Sequence, residues 1–125
     1  LVRFSHTETP IEDLSNKIRH VYDIHQLLKD EKVQSFLKSD AFDRMLLKVG
    51  YDDVQSFKNN NDWLKNHPKE ALVFKEPEAT WNLLKATYRN EFEFLVYGEL
   101  PGEESILKTI VSISNRLTKV KWLKV

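Results

Sequence analysis

The alternation of apolar and polar positions predicts helices almost throughout. Ile11, Leu14, Ile18, Val21, His25 and Leu28 recur at alternating steps of three and four, so one side of a long amphipathic helix over about 10–29 faces a core. Thr9-Pro10-Ile11-Glu12 is its start signal: Thr9 can cap, Pro10 suits the first helical position and Glu12 completes a capping box. Leu1 to Phe4 reads as the tail of an earlier helix. Glu31 to Lys38 predicts a short helix with Val33, Phe36 and Leu37 inward. Asp40 can cap the next, with Phe42, Met45, Leu46 and Val49 on one stripe and Gly50 ending or bending it. Asp52 restarts a turn holding Val54 and Phe57. After the polar break Asn59-Asn60-Asn61, Asn61 can cap a turn holding Trp63 and Leu64 that Pro68 stops.

Leu72-Val73-Phe74 fits a short strand or a helical turn, and the lack of a partner strand favours helix. Pro77 opens a long helix with Trp81, Leu84, Tyr88 and Leu95 inward and Gly98 as its end. After the turn Leu100-Pro101-Gly102, a last helix begins near Glu103, with Ile106, Ile110, Ile113, Leu117 and Val120 inward. The expected fold is all-α, a single helical bundle over residues 1–125 of about six helices with little or no β, and its short connections favour antiparallel neighbours.

Composition narrows the chemistry. Hydrophobic residues make up 41% and charged residues 30% of the 125 positions, a globular profile. Nineteen basic and nineteen acidic residues balance, which excludes a uniformly basic, histone-like surface. The absence of cysteine excludes a disulfide scaffold and a cysteine zinc site, and fits a cytoplasmic location. No apolar run approaches the ~18 residues of a membrane span, so no membrane partner is expected. Three glycines are too few for a glycine-rich phosphate loop.

No metal site is expected. His6, His20, His25 and His67 include no pair at the i, i+4 spacing of a helical zinc site. His20 and His25 point roughly 140° apart, and His25 falls on the apolar stripe as a core or interface histidine. No Gly-x-Ser-x-Gly nucleophile is present. Asp52 and Asp53 are adjacent and diverge, a cap and a solvated acid rather than a paired-carboxylate site. Trp63, Phe74, Trp81, Tyr88, Phe92, Phe94, Tyr97 and Trp122 can stack on bases, but their helical spacing favours core roles. Lys108, Arg116, Lys119, Lys121 and Lys124 give the last helix a basic side. That side is either a solvated face or an RNA contact, the latter implying salt-sensitive binding.

One constellation stands apart. In Lys17-Ile18-Arg19-His20-Val21-Tyr22-Asp23-Ile24, Arg19 and Asp23 are four apart and share a helix face with His20. The carboxylate can bind a metal or accept a proton, and the guanidinium can grip a phosphate with its planar fork. The plain alternative is an exposed Arg–Asp pair worth a few tenths of a kcal/mol.

The same residues carry a resemblance. Arg19-His20-Val21-Tyr22-Asp23-Ile24-His25-Gln26-Leu27-Leu28 resembles the stretch that ends the conserved core of AbiEii/AbiGii-type nucleotidyltransferases, toxins of bacterial abortive-infection (phage-defence) and type IV toxin–antitoxin systems. The family pattern is Arg-x-Lys-Asp-x-x-Asp-Leu. Lys17 stands for its first arginine, Arg19 for the lysine and Asp23-Ile24 for the final Asp-Leu, while His20 replaces the other aspartate. Leu1-Val2-Arg3-Phe4-Ser5 is similar to the end of the preceding motif helix, Arg3 matching its arginine. Met45 to Glu99, including Phe57-Lys58-Asn59-Asn60-Asn61-Asp62-Trp63-Leu64 and Leu95-Val96-Tyr97-Gly98-Glu99-Leu100-Pro101, resembles the helical C-terminal part of one branch of the family.

The resemblance implies catalytic roles for Asp23 and Arg19 and substrate-binding roles for Arg3, Lys17 and His20. It also implies an NTP, Mg²⁺ and an RNA acceptor for the full-length protein, with its own N-terminal catalytic domain and an antitoxin as partners. The family's head carries a Gly-Ser motif and an Asp-x-Asp metal pair, and neither motif occurs in this sequence. One aspartate on a helix cannot hold Mg²⁺ across triphosphate oxygens. The expectation is therefore a C-terminal helical region that is inactive alone and holds no cofactor by itself. The alternative is a free-standing helical module that binds a protein partner without catalysis.

Overall fold

The computed structural model describes residues 1–56, 62–92 and 101–122. Among them are seven α-helices and no strand, so the fold is all-α, close to the expected six helices. The helices are α1 (Pro10–Ser15), α2 (Ile18–Leu27), α3 (Glu31–Lys38), α4 (Asp40–Ser56), α5 (Leu72–Lys75), α6 (Pro77–Phe92) and α7 (Glu103–Leu117). Three 3₁₀ turns, Arg3–His6, Asp62–Lys65 and Pro68–Glu70, link or precede them. Leu1 to Phe4 thus leads into a 3₁₀ turn rather than ending an α-helix.

The expected helix over 10–29 is broken in two. Asn16 and Lys17 close the end of α1 with amides donating to Glu12 O and Leu14 O, and Lys17 leaves helical geometry at φ −116°, ψ 21°. Ser15 and Asn16 offer the backbone competing hydrogen bonds and so weaken a helix interior. The apolar stripe survives the break, because Leu14, Ile18 and Val21 are all buried. Thr9 makes no capping bond. Its hydroxyl donates to Asp13 Oδ2 at 3.3 Å, and Pro10 at the first position holds the start.

Helix α3 matches its expected bounds, capped by Asp30, whose carboxylate accepts from the Lys32 amide at 2.7 Å. None of its residues is buried, and Phe36 is exposed rather than inward. Gly50 does not end α4, which continues to Ser56 and absorbs the turn expected after Asp52. Pro68 begins the next 3₁₀ turn instead of stopping the last one. Residues 72–75 are helical, as the missing partner strand suggested. Phe57, Asn59, Asn60, Asn61, Leu95 and Gly98 lie outside the described residues.

The buried residues form one cluster centred on α6 and α7. Trp81, Leu84 and Tyr88 of α6 meet Ile106, Ile110 and Leu117 of α7, while α1, α2 and α5 contribute Leu14, Ile18, Val21, Val73 and Phe74. At roughly 25 cal/mol per Å² of apolar surface, these contacts dominate the fold's stability. Polar groups inside this layer are matched to backbone acceptors. The Trp81 indole donates to Glu103 O at 3.0 Å, the Tyr88 hydroxyl to Pro101 O at 2.7 Å and the Ser114 hydroxyl to Phe74 O. Arg89 pairs with Glu103 across the same two helices.

Candidate functional site

Helix α2 is anchored by Ile18 and Val21, which are 3% and 2% exposed. With about 100° between successive residues, Asp23 projects roughly 150° away from both. Arg19, His20 and Asp23 are accordingly exposed on the outer side. Although spaced for an ion pair, Arg19 and Asp23 close none among the described residues, and no other described side chain engages either one. Leu27, one turn beyond Asp23 on this side, is 58% exposed.

The remaining two candidates meet elsewhere. Arg3, in the first 3₁₀ turn, places its guanidinium carbon 5.6 Å from the Phe4 ring centroid. The Lys17 ammonium lies 5.4 Å from the same centroid. Two cations thus flank one aromatic ring, a favourable arrangement for each with the ring. Lys17 is tied to α2 through its carbonyl, which accepts the His20 amide at 3.0 Å. The five candidates therefore form two groups, Arg3 with Lys17 at Phe4, and Arg19, His20 and Asp23 on the outer side of α2.

His25 belongs to neither. It faces α7, where its Nδ1 is 2.7 Å from Thr109 Oγ1. The Thr109 hydroxyl donates to Ser105 O at 3.2 Å, so its oxygen accepts from an Nδ1–H of His25. His67 has both ring nitrogens occupied. Nδ1 accepts from the Lys69 amide at 3.0 Å, which leaves Nε2–H to donate to Val120 O. These histidines are structural, as expected for His25. No group of three or more His, Asp or Glu residues that could hold a metal ion comes together among the described residues.

Two features were not legible in the sequence. Arg116, expected on a solvated basic side, turns inward, its side chain only 13% exposed. The second is an apolar cleft of about 350 Å³ between Leu46, Val49 and Gly50 of α4 and Leu64, Pro68 and Trp122 of the body. The aromatic set divides accordingly: Phe74, Trp81 and Tyr88 are core, whereas Trp63 and Trp122 are half-buried at the cleft. No helix among the described residues is long and apolar enough to cross a membrane. No family model, curated protein or solved structure matches the chain.

Proposed function

We propose that this chain is the C-terminal helical region of a nucleotidyltransferase of the AbiEii-like toxin type, and that the outer side of α2 meets a catalytic head encoded upstream. The observation that supports this reading is the unengaged polar set Arg19, His20 and Asp23, held rigidly outward by the buried Ile18 and Val21. A core that spends no polar contacts on these groups leaves them free of competing partners within the described chain. In the assembled enzyme Arg19 grips the triphosphate with its planar fork, and Asp23 orients or deprotonates the attacking hydroxyl. His20 stands beside them as a donor to phosphate, while Arg3 and Lys17 add positive charge.

Mg²⁺ and the NTP come with the head in this reading, and among the described residues no group of three or more His, Asp or Glu comes together to hold a metal. RNA is the acceptor and an antitoxin the protein partner in this reading, and its setting is bacterial phage defence in the cytoplasm. The test is genetic and biochemical. The parent gene should encode Gly-Ser and Asp-x-Asp motifs upstream, and its product should transfer a labelled nucleotide to RNA with Mg²⁺. An upstream region lacking both motifs removes the reading.

A second reading, a non-catalytic interaction module, draws on the exposed Phe36, Met45, Val49 and Tyr51 of α3 and α4. Exposed large apolar side chains are one mark of a protein partner when they gather into a patch. Its distinguishing result is a parent gene with no catalytic head.

A further inference from the structure

The polar contacts of Arg116 converge on the α3–α4 hairpin. From α7, its Nε–H donates to Leu37 O at 2.5 Å and its terminal nitrogen to Ser39 O at 3.2 Å. The same nitrogen pairs with Asp43 in the first turn of α4. The guanidinium carbon lies 4.9 Å from the Phe42 ring centroid. Leu37 O is one of the end carbonyls of α3 that no amide of its own helix can satisfy, and Ser39 O, just past that end, also accepts the Phe42 amide at 3.2 Å. One side chain therefore caps the end of α3, pairs with an acid in the first turn of α4 and stacks on an aromatic residue of that helix.

The hairpin has little else buried. No residue of α3 is buried, Gly50 is the one buried residue of α4, and Phe36, Met45 and Val49 are exposed. Phe42 and Leu46 pack against the core only partly buried. A segment with so few buried apolar contacts opens at a smaller free-energy cost than the α6–α7 core. The inner side of α4 also forms one wall of the 350 Å³ cleft, opposite Leu64, Pro68 and Trp122.

We propose that α3–α4 is a hinged arm latched to the body by Arg116, and that release of this latch opens the apolar cleft beneath α4. The latch shares no residue with the outer side of α2, although Arg3 of the catalytic reading also lines the cleft. Fixed geometry makes Arg116 hard to replace. Lysine keeps the charge but cannot serve two carbonyls and a carboxylate with a planar fork.

Hydrogen exchange read by mass spectrometry on the intact protein tests this. In the wild type, amides of residues 31–56 should exchange together and faster than those of α6 and α7. Arg116→Ala should speed exchange of that block at least ~10-fold while α6 and α7 change much less, with Arg116→Lys intermediate. Tryptophan emission should shift to the red as Trp63 and Trp122 meet water. If Arg116→Ala does not fold, Asp43→Ala, which removes one arm of the latch at a half-exposed site, should produce the same pattern more weakly. Uniform acceleration across all helices, or wild-type exchange of 31–56 at the rate of the α6–α7 core, would overturn the proposal.

Discussion

Nδ1 of His25 on α2 lies 2.7 Å from Oγ1 of Thr109 on α7, joining the helix that presents the candidate site to the helix at the centre of the core. The bond fixes the rotation of α2 as well as its position, and so the direction in which Asp23 points.

The burial of His25 at this contact makes the fold sensitive to acid. Burial, and then the nearby Lys29 charge, lowers the pKa of His25 below its ordinary 6.5. Burial lowers that of His6 too, whose Nε2 has no hydrogen-bond partner among the described residues. The unfolded chain thus binds protons that the folded one refuses. Their stabilising contribution is complete above about pH 6.5 and is lost as pH falls from there through the folded-state values. The urea midpoint should drop from about pH 7.5 to 5.5, and His25→Gln should flatten the drop. A midpoint that rises on acidification contradicts this assignment.

Tyr88 supplies a spectroscopic check on the core. Burial first, then Tyr22 and Glu103, pushes its phenol pKa up to about 12. In an absorbance titration it should ionise well above the ordinary tyrosine value of 10.0. Tyr88→Phe removes the bond to Pro101 O and should cost about 1 kcal/mol in denaturant unfolding. An unchanged unfolding midpoint would show that the bond contributes nothing.

The two sides of α2 should respond oppositely to substitution. Val21→Asp places an unpaired charge at a position 2% exposed and should cost about 4 kcal/mol or more, enough to unfold a small domain. Asp23→Ala, on the exposed side, should leave stability within about 0.5 kcal/mol. Circular dichroism melts of the two variants decide the matter, and comparable losses in both would mean that α2 is not oriented as described.

Trp122 should secure the end of the described chain. Its indole donates to Leu64 O at 2.7 Å, and its ring sits 6.3 Å from that of His67, which itself holds Val120 O. Trp122→Leu keeps apolar bulk but loses the donor, and should lower stability by about 1–2 kcal/mol. Wild-type melting behaviour in that variant would assign the indole bond no role.

The sequence reveals helix identity far better than the way helices are joined and latched. Pro77, and the acids Glu103 and Glu104 after Gly102, mark the starts of α6 and α7 because helix entry is set by local chemistry. The stripe from Leu14 to Val21 identifies the buried side of α2, and hence the exposure of Arg19, His20 and Asp23, since side-chain direction follows from helical period alone. The break at Asn16 and Lys17 is hidden because Leu14 and Ile18 keep helical spacing across it. Gly50 misleads because α4 continues through the position glycine usually terminates. Arg116 is invisible as a latch, since its carbonyl partners are 79 and 77 residues away in the chain and belong to the end of another helix.

The most direct measurement is nucleotide transfer by the full-length gene product carrying Asp23→Ala, with its melting temperature taken alongside. The account predicts a loss of transfer of at least ~10²-fold with an unchanged melting temperature. Transfer at the wild-type rate would contradict it.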